Sequence, residues 1–310
     1  MHDSIQSNRL LNMALKENAV CFLEPLYEER VIDKLNAALD IIFANKSGER
    51  RYADALELYQ SGVFNDIVTP KLISLIFSFF PNPVLYHFHS YEITGQQDKP
   101  HIAADNFLDG WHRDIDCIYD IKTKGVQHIT LFIYLTDVND GDGAFEICNK
   151  NLGFFSRLFK NSNFFRVTGE KGHTFLFNRT AFHRASPNRN SKNRRVLKIS
   201  FQDKSTVMPP LNVNIKSHEK RFKIHQTMEN INKSDIVVRS LFGDKNICNH
   251  DVSAKVKEFY YKEALNELVP EHDVLFKCPM NFLQEFRAVA KDIVYLKHLV
   301  FSQILRCIKR

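Results

Sequence analysis

The spacing of apolar positions changes twice along the chain. Near the start, Ala19-Val20-Cys21-Phe22-Leu23 is a short unbroken apolar run, which predicts a buried strand. From Val31 to Phe43, the residues Val31, Leu35, Ala38, Ile41 and Ile42 recur at helical period, which predicts an amphipathic helix. Leu72 to Phe80 is a further apolar run, stopped by Pro81 and Pro83. Residues 1–82 therefore read as mainly helical. From 83 to 205 the texture becomes short β-rich runs: Val84–His89, Ile115–Tyr119, Gln127–Leu135, Ala144–Cys148, His173–Phe177 and Arg195–Phe201. Turn residues separate them, among them Gly125, Asn139-Asp140-Gly141-Asp142-Gly143, Gly169, Gly172 and Ser186-Pro187-Asn188. Many short strands with frequent turns predict a sandwich or barrel. Beyond Pro209-Pro210 the period returns to 3.6 over Ser253–Leu268 and Asn281–Ile308. The expected layout is a domain over 1–205, helical over 1–82 with a β core over 83–205, and a mainly helical extension over 206–310 packed on that core. No repeat of 20–50 residues interrupts it.

Composition narrows the class. Of 310 residues, 44% are apolar and 25% charged, which is globular and excludes wholesale disorder. The 26 phenylalanines against one tryptophan are read as core filling. A net charge of +6 is too small to imply a nucleic-acid binder, but its distribution is uneven. Residues 151–225 hold 16 Lys/Arg and 3 Asp/Glu, so the remainder of the chain is net acidic. The six cysteines form no CxxC pair and no disulfide framework. No secretory signal and no run near the ~18 apolar residues of a membrane span is visible, so a cytoplasmic setting is expected.

The candidate chemistry lies in the β region. His112-Arg113-Asp114 is the single H-x-D of the chain, and in an extended segment residues i and i+2 share a face. His183 sits between the run ending at Phe177 and the Ser186-Pro187-Asn188 turn. Two histidines and one carboxylate on a β scaffold, with coordination positions left open, suit a non-haem Fe(II) oxygenase. Arg194 follows His183 by eleven residues, and its planar guanidinium matches a carboxylate in two-point geometry.

These residues occur in a fixed order: Trp111-His112-Arg113-Asp114, then Asp142-Gly143-Ala144-Phe145-Glu146-Ile147, then Gly172 to Phe177, His183 to Asn188, Arg194 and Phe201. The arrangement over residues 18–202 resembles the phytanoyl-CoA dioxygenase family of Fe(II)/2-oxoglutarate-dependent oxygenases. The resemblance implies a double-stranded β-helix, or jelly roll, with helices packed on one sheet, and the helical pattern at both ends of the chain flanks it with N- and C-terminal helices; the tail beyond Gln202 has no counterpart in the family pattern. It implies His112, Asp114 and His183 as iron ligands. Arg194 would hold the distal carboxylate of 2-oxoglutarate, with Phe132, Thr130 and Ser186 lining the same pocket. The implied reaction uses O2 to decarboxylate 2-oxoglutarate to succinate and CO2 while hydroxylating an aliphatic carbon of a small molecule. Relatives that halogenate leave the carboxylate position small; Asp114 fills it, which argues for hydroxylation.

Two departures from the family pattern stand out. Cys148-Asn149-Lys150-Asn151 replaces a common Pro-Gly-Ser-His turn, and Ala185 stands two residues after His183 where a hydroxyl residue is usual, so that Ser186 takes its place. The alternative from another class is a non-catalytic jelly roll kept for binding or assembly; such a relative should have lost one of His112, Asp114, His183 or Arg194, and none is lost. Nucleic acid is not an expected partner, because no recognisable module accompanies the basic stretch. The basic stretch reads either as a solvated basic face or as the lining of a cleft for an anionic or carrier-linked small-molecule substrate. Asn281–Arg310 is expected to be a core-packed helix rather than a membrane-surface one. On the last strand, alternation sends Arg194 and Arg195 to opposite faces, and Leu197, Ile199 and Phe201 are expected under the helices with Arg194 inside.

Overall fold

The computed structural model of the chain describes residues 15, 19–80, 82–100, 110–112, 114, 128–148, 163–203, 235–241 and 275–277. The expected strand at Ile115–Tyr119 and the expected helices at Ser253–Leu268 and Asn281–Ile308 lie outside them.

Among the described residues, ten strands form two antiparallel sheets. The large sheet has the order β1 (Val20–Leu23), β7 (Thr174–Asn178), β4 (His128–Tyr134), β9 (Arg194–Asp203), β3 (Pro83–Ile93), β2 (Arg50–Asp54). The small sheet has the order β10 (Leu275–Lys277), β6 (Asn163–Val167), β5 (Phe145–Cys148), β8 (His183–Ala185). From β4 onward the chain winds between the sheets, with β5, β6 and β8 in one and β4, β7 and β9 in the other. This is the jelly-roll winding, and the fold is a double-stranded β-helix.

Strand alternation divides the apolar residues into two cores. On β4, Ile129, Leu131 and Ile133 join the cluster under the helices, while Phe132 and Tyr134 join the cluster between the sheets. On β9, Leu197, Ile199 and Phe201 face the helices and Val196 faces inward. Of the described residues, six phenylalanines pack in the inter-sheet core and five in the helix-side core; in the former, Phe132 stacks on Phe175 at 4.9 Å between centroids, and Phe145 meets Phe177 at 4.8 Å. A bulge between Leu85 and His87 resets the alternation of β3. Leu85 and Phe88 both reach the helix-side core, and Tyr91 and Ile93 point inward.

The helices cover the outer face of the large sheet. α1 (Glu29–Ala44) buries Ile32, Leu35, Leu39 and Phe43. This stripe is rotated from the expected one, and Ile41 is 77% exposed. The arginines of the sheet set the rotation: the Arg51 and Arg195 guanidiniums lie over the Phe43 ring at 5.8 and 5.6 Å. α2 (Ala55–Gln60) and α3 (Phe64–Ile67) follow β2. α4 (Pro70–Phe79) starts at Thr69, whose Oγ1 accepts from the Leu72 N–H at 3.2 Å, with Pro70 in the first turn.

Two pieces of the C-terminal extension reach this core. α5 (Ile236–Ser240) buries Val238 on the helix side, and the carbonyl of Leu241 accepts from the Leu85 N–H at 2.9 Å. The second piece, β10, adds a strand to β6, although no β signal marks it in the sequence. No helix among the described residues is long and apolar enough to cross a membrane.

Candidate metal centre

His112 and His183 are neighbours because their backbones pair. The His112 N–H donates to the His183 carbonyl at 3.0 Å and the His183 N–H donates back at 2.9 Å, an isolated antiparallel bridge at the end of the small sheet. The preceding Trp111 is buried beneath the Arg184 guanidinium at 5.0 Å, and Arg184 Nε donates to the buried Glu146 at 2.6 Å. The H-x-D segment is thereby anchored to β8 and β5 by side chains as well as backbone.

One ligand atom each from His112, Asp114 and His183 lies within 4.8 Å of the others. His112 Nδ1 bonds the Gly110 carbonyl at 2.8 Å, and His183 Nδ1 bonds the Ala181 carbonyl at 3.0 Å. A carbonyl can only accept, so each Nδ1 carries the proton and each Nε2 keeps its lone pair. Burial pushes both imidazole pKa values down, well down for His183, and keeps the rings neutral. Burial opposes the Asp114 carboxylate, but the Lys198 and Arg179 cations overcome it and hold the group well below the usual carboxylate range. Lys198 Nζ donates to Asp114 Oδ2 at 2.9 Å and Arg179 Nε at 3.3 Å. Asp114 Oδ1 lies 3.9 Å from His112 Nε2. His183 Nε2 is buried with no hydrogen-bond partner, a costly arrangement unless something else uses the lone pair. Two neutral imidazoles, one of them with an orphaned Nε2, and one ionised carboxylate could hold a metal ion and fit the donor chemistry of non-haem iron.

The other expected residues gather beyond an aromatic wall. Phe145 is 5.4 Å from the His183 ring and 5.1 Å from Phe132, and Phe132 is 5.6 Å from the Arg194 guanidinium carbon. Arg194 is 1% exposed; its η nitrogens donate to the Gly143 carbonyl and, at 3.2 Å, to the Tyr91 hydroxyl. Gly143 has φ +76°, and a Cβ there would come within 3.2 Å of Asn188 Cβ and 3.6 Å of Arg194 Cδ, so the close approach and the backbone both require glycine. Thr130 faces inward with Phe132 and bonds Ser200 Oγ at 2.8 Å. The Ser186 N–H donates to the Ala144 carbonyl at 2.9 Å, which sets Ser186 next to Gly143 and Arg194.

A family model, Phytanoyl-CoA dioxygenase (PhyH), matches residues 17–196. The chain belongs to the phytanoyl-CoA dioxygenase family. It is a non-haem iron enzyme of the 2-oxoglutarate-dependent kind, with Fe(II), 2-oxoglutarate and O2 as cofactor and cosubstrates. No curated protein matches the chain significantly. Solved structures similar to this member of the family include AviO1 from Streptomyces viridochromogenes Tue57, at 14% identity and TM-score 0.49, covering 64% of this chain and 96% of that one. The 2-oxoglutarate-dependent epimerase SnoN from nogalamycin biosynthesis matches at 14% identity and TM-score 0.47, covering 67% and 93%. HygX from Streptomyces hygroscopicus, solved with nickel and 2-oxoglutarate bound, matches at 13% identity and TM-score 0.45, covering 63% and 86%.

Sequence reasoning missed Arg179, Lys198 and Tyr91 in this dioxygenase. Lys198 had a signal, since it shares the inward face of β9 with Arg194. Arg179 and Tyr91 had none, because nothing local marks the turn that the fold brings against Asp114 or the strand it brings against Arg194. The basic stretch also resolves differently from its net charge. Arg166 and Arg184 pair with Glu146, Lys171 with Glu29 and Asp33, and Arg195 with Glu92 and Asp40. Of the cations described in the stretch, Arg179, Arg194 and Lys198 serve the inside of the roll.

Proposed function

We propose that the protein hydroxylates an aliphatic carbon of a small molecule, with His112, Asp114 and His183 as the iron ligands and Arg194 as the anchor of 2-oxoglutarate. The observation that carries this reading is the orphaned, buried His183 Nε2, facing the His112 and Asp114 ligand atoms. His112, Asp114 and His183 would hold the iron, which would supply O2 activation for the linked decarboxylation of 2-oxoglutarate and oxidation of the substrate. The protein's part is to fix protonation and geometry. The Gly110 and Ala181 carbonyls hold the imidazoles in the ligating tautomer, and Lys198 and Arg179 occupy Asp114 Oδ2 and so orient Oδ1. Arg194, held by the Gly143 carbonyl and the Tyr91 hydroxyl, presents a fixed fork to the distal carboxylate. Thr130, Phe132 and Ser186 line that end, and the phenylalanine wall keeps water from the oxidising centre. Asp114 favours hydroxylation over halogenation because its carboxylate fills the position a halide would need. The substrate of this reading is an anionic or carrier-linked small molecule, and the setting is cytoplasmic.

The test is iron content and succinate release from 2-oxoglutarate for His112→Ala, Asp114→Ala and His183→Ala. Each variant should lose most of its bound iron and at least about 100-fold in turnover, roughly 3 kcal/mol of lost stabilisation. Wild-type iron and turnover in all three would overturn the assignment.

A further inference from the structure

Two adjacent arginines on β2 have opposite fates. Arg51 faces the helices and is neutralised by Glu92, a fully buried carboxylate that also takes Arg195. Arg50 faces the other way, at the edge of the large sheet, and has no ion-pair partner among the described residues. Its guanidinium carbon lies 4.0 Å from the centre of the Tyr91 ring and 4.3 Å from that of Tyr52. Its Nε is buried with no hydrogen-bond partner. The hydroxyl of the same Tyr91 accepts from Arg194 Nη2 at 3.2 Å. Arg50 is close enough to Asp114, His112 and Arg194 to act on, or feel, their charges.

The other inward cations are spoken for. Arg179 and Lys198 hold Asp114, and Arg194 faces the cosubstrate end. Iron and a doubly charged 2-oxoglutarate would still leave the centre with a surplus of positive charge. Two aromatic rings hold the Arg50 guanidinium in place without neutralising it, which preserves its attraction for an anion. Tyr52 is 44% exposed, so the stack is reachable from solvent.

We infer that Arg50, stacked against the rings of Tyr52 and Tyr91, is the specificity residue that receives an anionic group, a carboxylate or a phosphate, on the substrate to be oxidised. The inference rests on the oxygenase reading for what happens to that substrate, but the anion site itself does not. It places the anion on the β2–β3 wall, so that the remainder of the molecule extends over the aromatic wall toward His112 and His183. A planar fork favours carboxylates and phosphate monoesters over their neutral isosteres.

The experiment uses the iron-loaded full chain and matched probes: inorganic phosphate, and small carboxylic acids and phosphate monoesters, each beside its neutral amide or alcohol. Binding is read by calorimetry and oxidation by succinate release. Wild-type protein should bind at least one acid or phosphate ten or more times more tightly than its neutral partner. Arg50→Gln should erase that preference, Arg50→Lys should keep part of it, and Arg50→Glu should turn it toward the corresponding amines. A purely stacking role would instead show as a lower melting temperature with the preference intact. That result would overturn the inference, as would equal binding of charged and neutral partners, no anion bound at millimolar concentration, or a change confined to the half-saturating concentration of 2-oxoglutarate. Anion binding through Arg50 without any succinate release would preserve the anion site and sink the oxygenase reading. Succinate release with no acid preference would do the reverse.

Discussion

Arg194 and Arg195 are consecutive, and the pleat of β9 sends them to different work. Arg194 enters the inter-sheet core beside Phe132, Tyr91 and Tyr134. Arg195 crosses to the helix side, where its Nη2 pairs with Asp40 at 2.6 Å, its Nη1 reaches the Asn36 carbonyl at 3.3 Å and its Nε meets Glu92. Losing one partner of a buried charge pair costs about 3–5 kcal/mol, and about 1.4 kcal/mol is tenfold in affinity. Arg194→Ala is therefore expected to raise the half-saturating 2-oxoglutarate concentration by about 100-fold or more. Arg195→Ala is expected to leave that concentration nearly unchanged and to lower unfolding stability by about 3 kcal/mol, because Glu92 keeps only Arg51. Succinate assays and urea denaturation of the two variants measure both effects; the opposite ranking would mean that β9 is out of register by one residue.

At the scale of the element, β2 shows how a strand with little β character is held. Arg50–Asp54 offers no alternating apolar pattern, yet it pairs with β3 from Arg50↔Ile93 to Asp54↔His89. Its end is fixed by a capping box. Asp54 Oδ1 accepts from the Leu56 and Glu57 N–H groups at 3.0 Å each, and the Glu57 carboxylate accepts from the Asp54 N–H at 2.8 Å. Asp54→Ala should cost about 1 kcal/mol of stability, and Asp54→Asn much less, by thermal unfolding. Because the cap ends the strand that carries Arg50, the Ala variant should also weaken anion binding. The D-x-x-E pattern makes this cap legible in the sequence, whereas the strand before it is not. The same limit applies to α1. Its helical period was readable, but the face it buries was set by Phe43 meeting the arginines of β2 and β9.

For the whole molecule, stability should follow both proton and ligand. His128 is fully buried on β4, and burial, aided by Arg179, pushes its pKa down from 6.5 to about 3. The unfolded chain takes up this proton near pH 6.5 while the native state refuses it until about pH 3. The resulting stability is complete above pH 6.5 and is lost as pH falls toward 3, at about 1.4 kcal/mol per unit. His128→Gln should flatten that slope in denaturation curves taken between pH 6.5 and 4. Iron with 2-oxoglutarate at 100 times its dissociation constant should add about 2.7 kcal/mol. Melting curves should show the gain in the wild type and not in Asp114→Ala.

What the sequence determined alone is what short-range geometry and residue chemistry encode. The alternation of β4, β7 and β9, the H-x-D pair on one face, and the order His112, Asp114, His183, Arg194 were all legible, because each depends on a few neighbouring residues or on linear spacing. Tertiary structure decided what must be met through space. It chose Lys198 and Arg179 as the partners of Asp114, brought Arg50 over Tyr91, and paired six of the nine described cations of the basic stretch with acids. It also recruited β2, β6, β8 and β10 as strands. A strand of that kind satisfies its backbone hydrogen bonds on a partner far away in the chain, and a buried charge takes whichever opposite charge the fold delivers. Local periodicity carries neither kind of information.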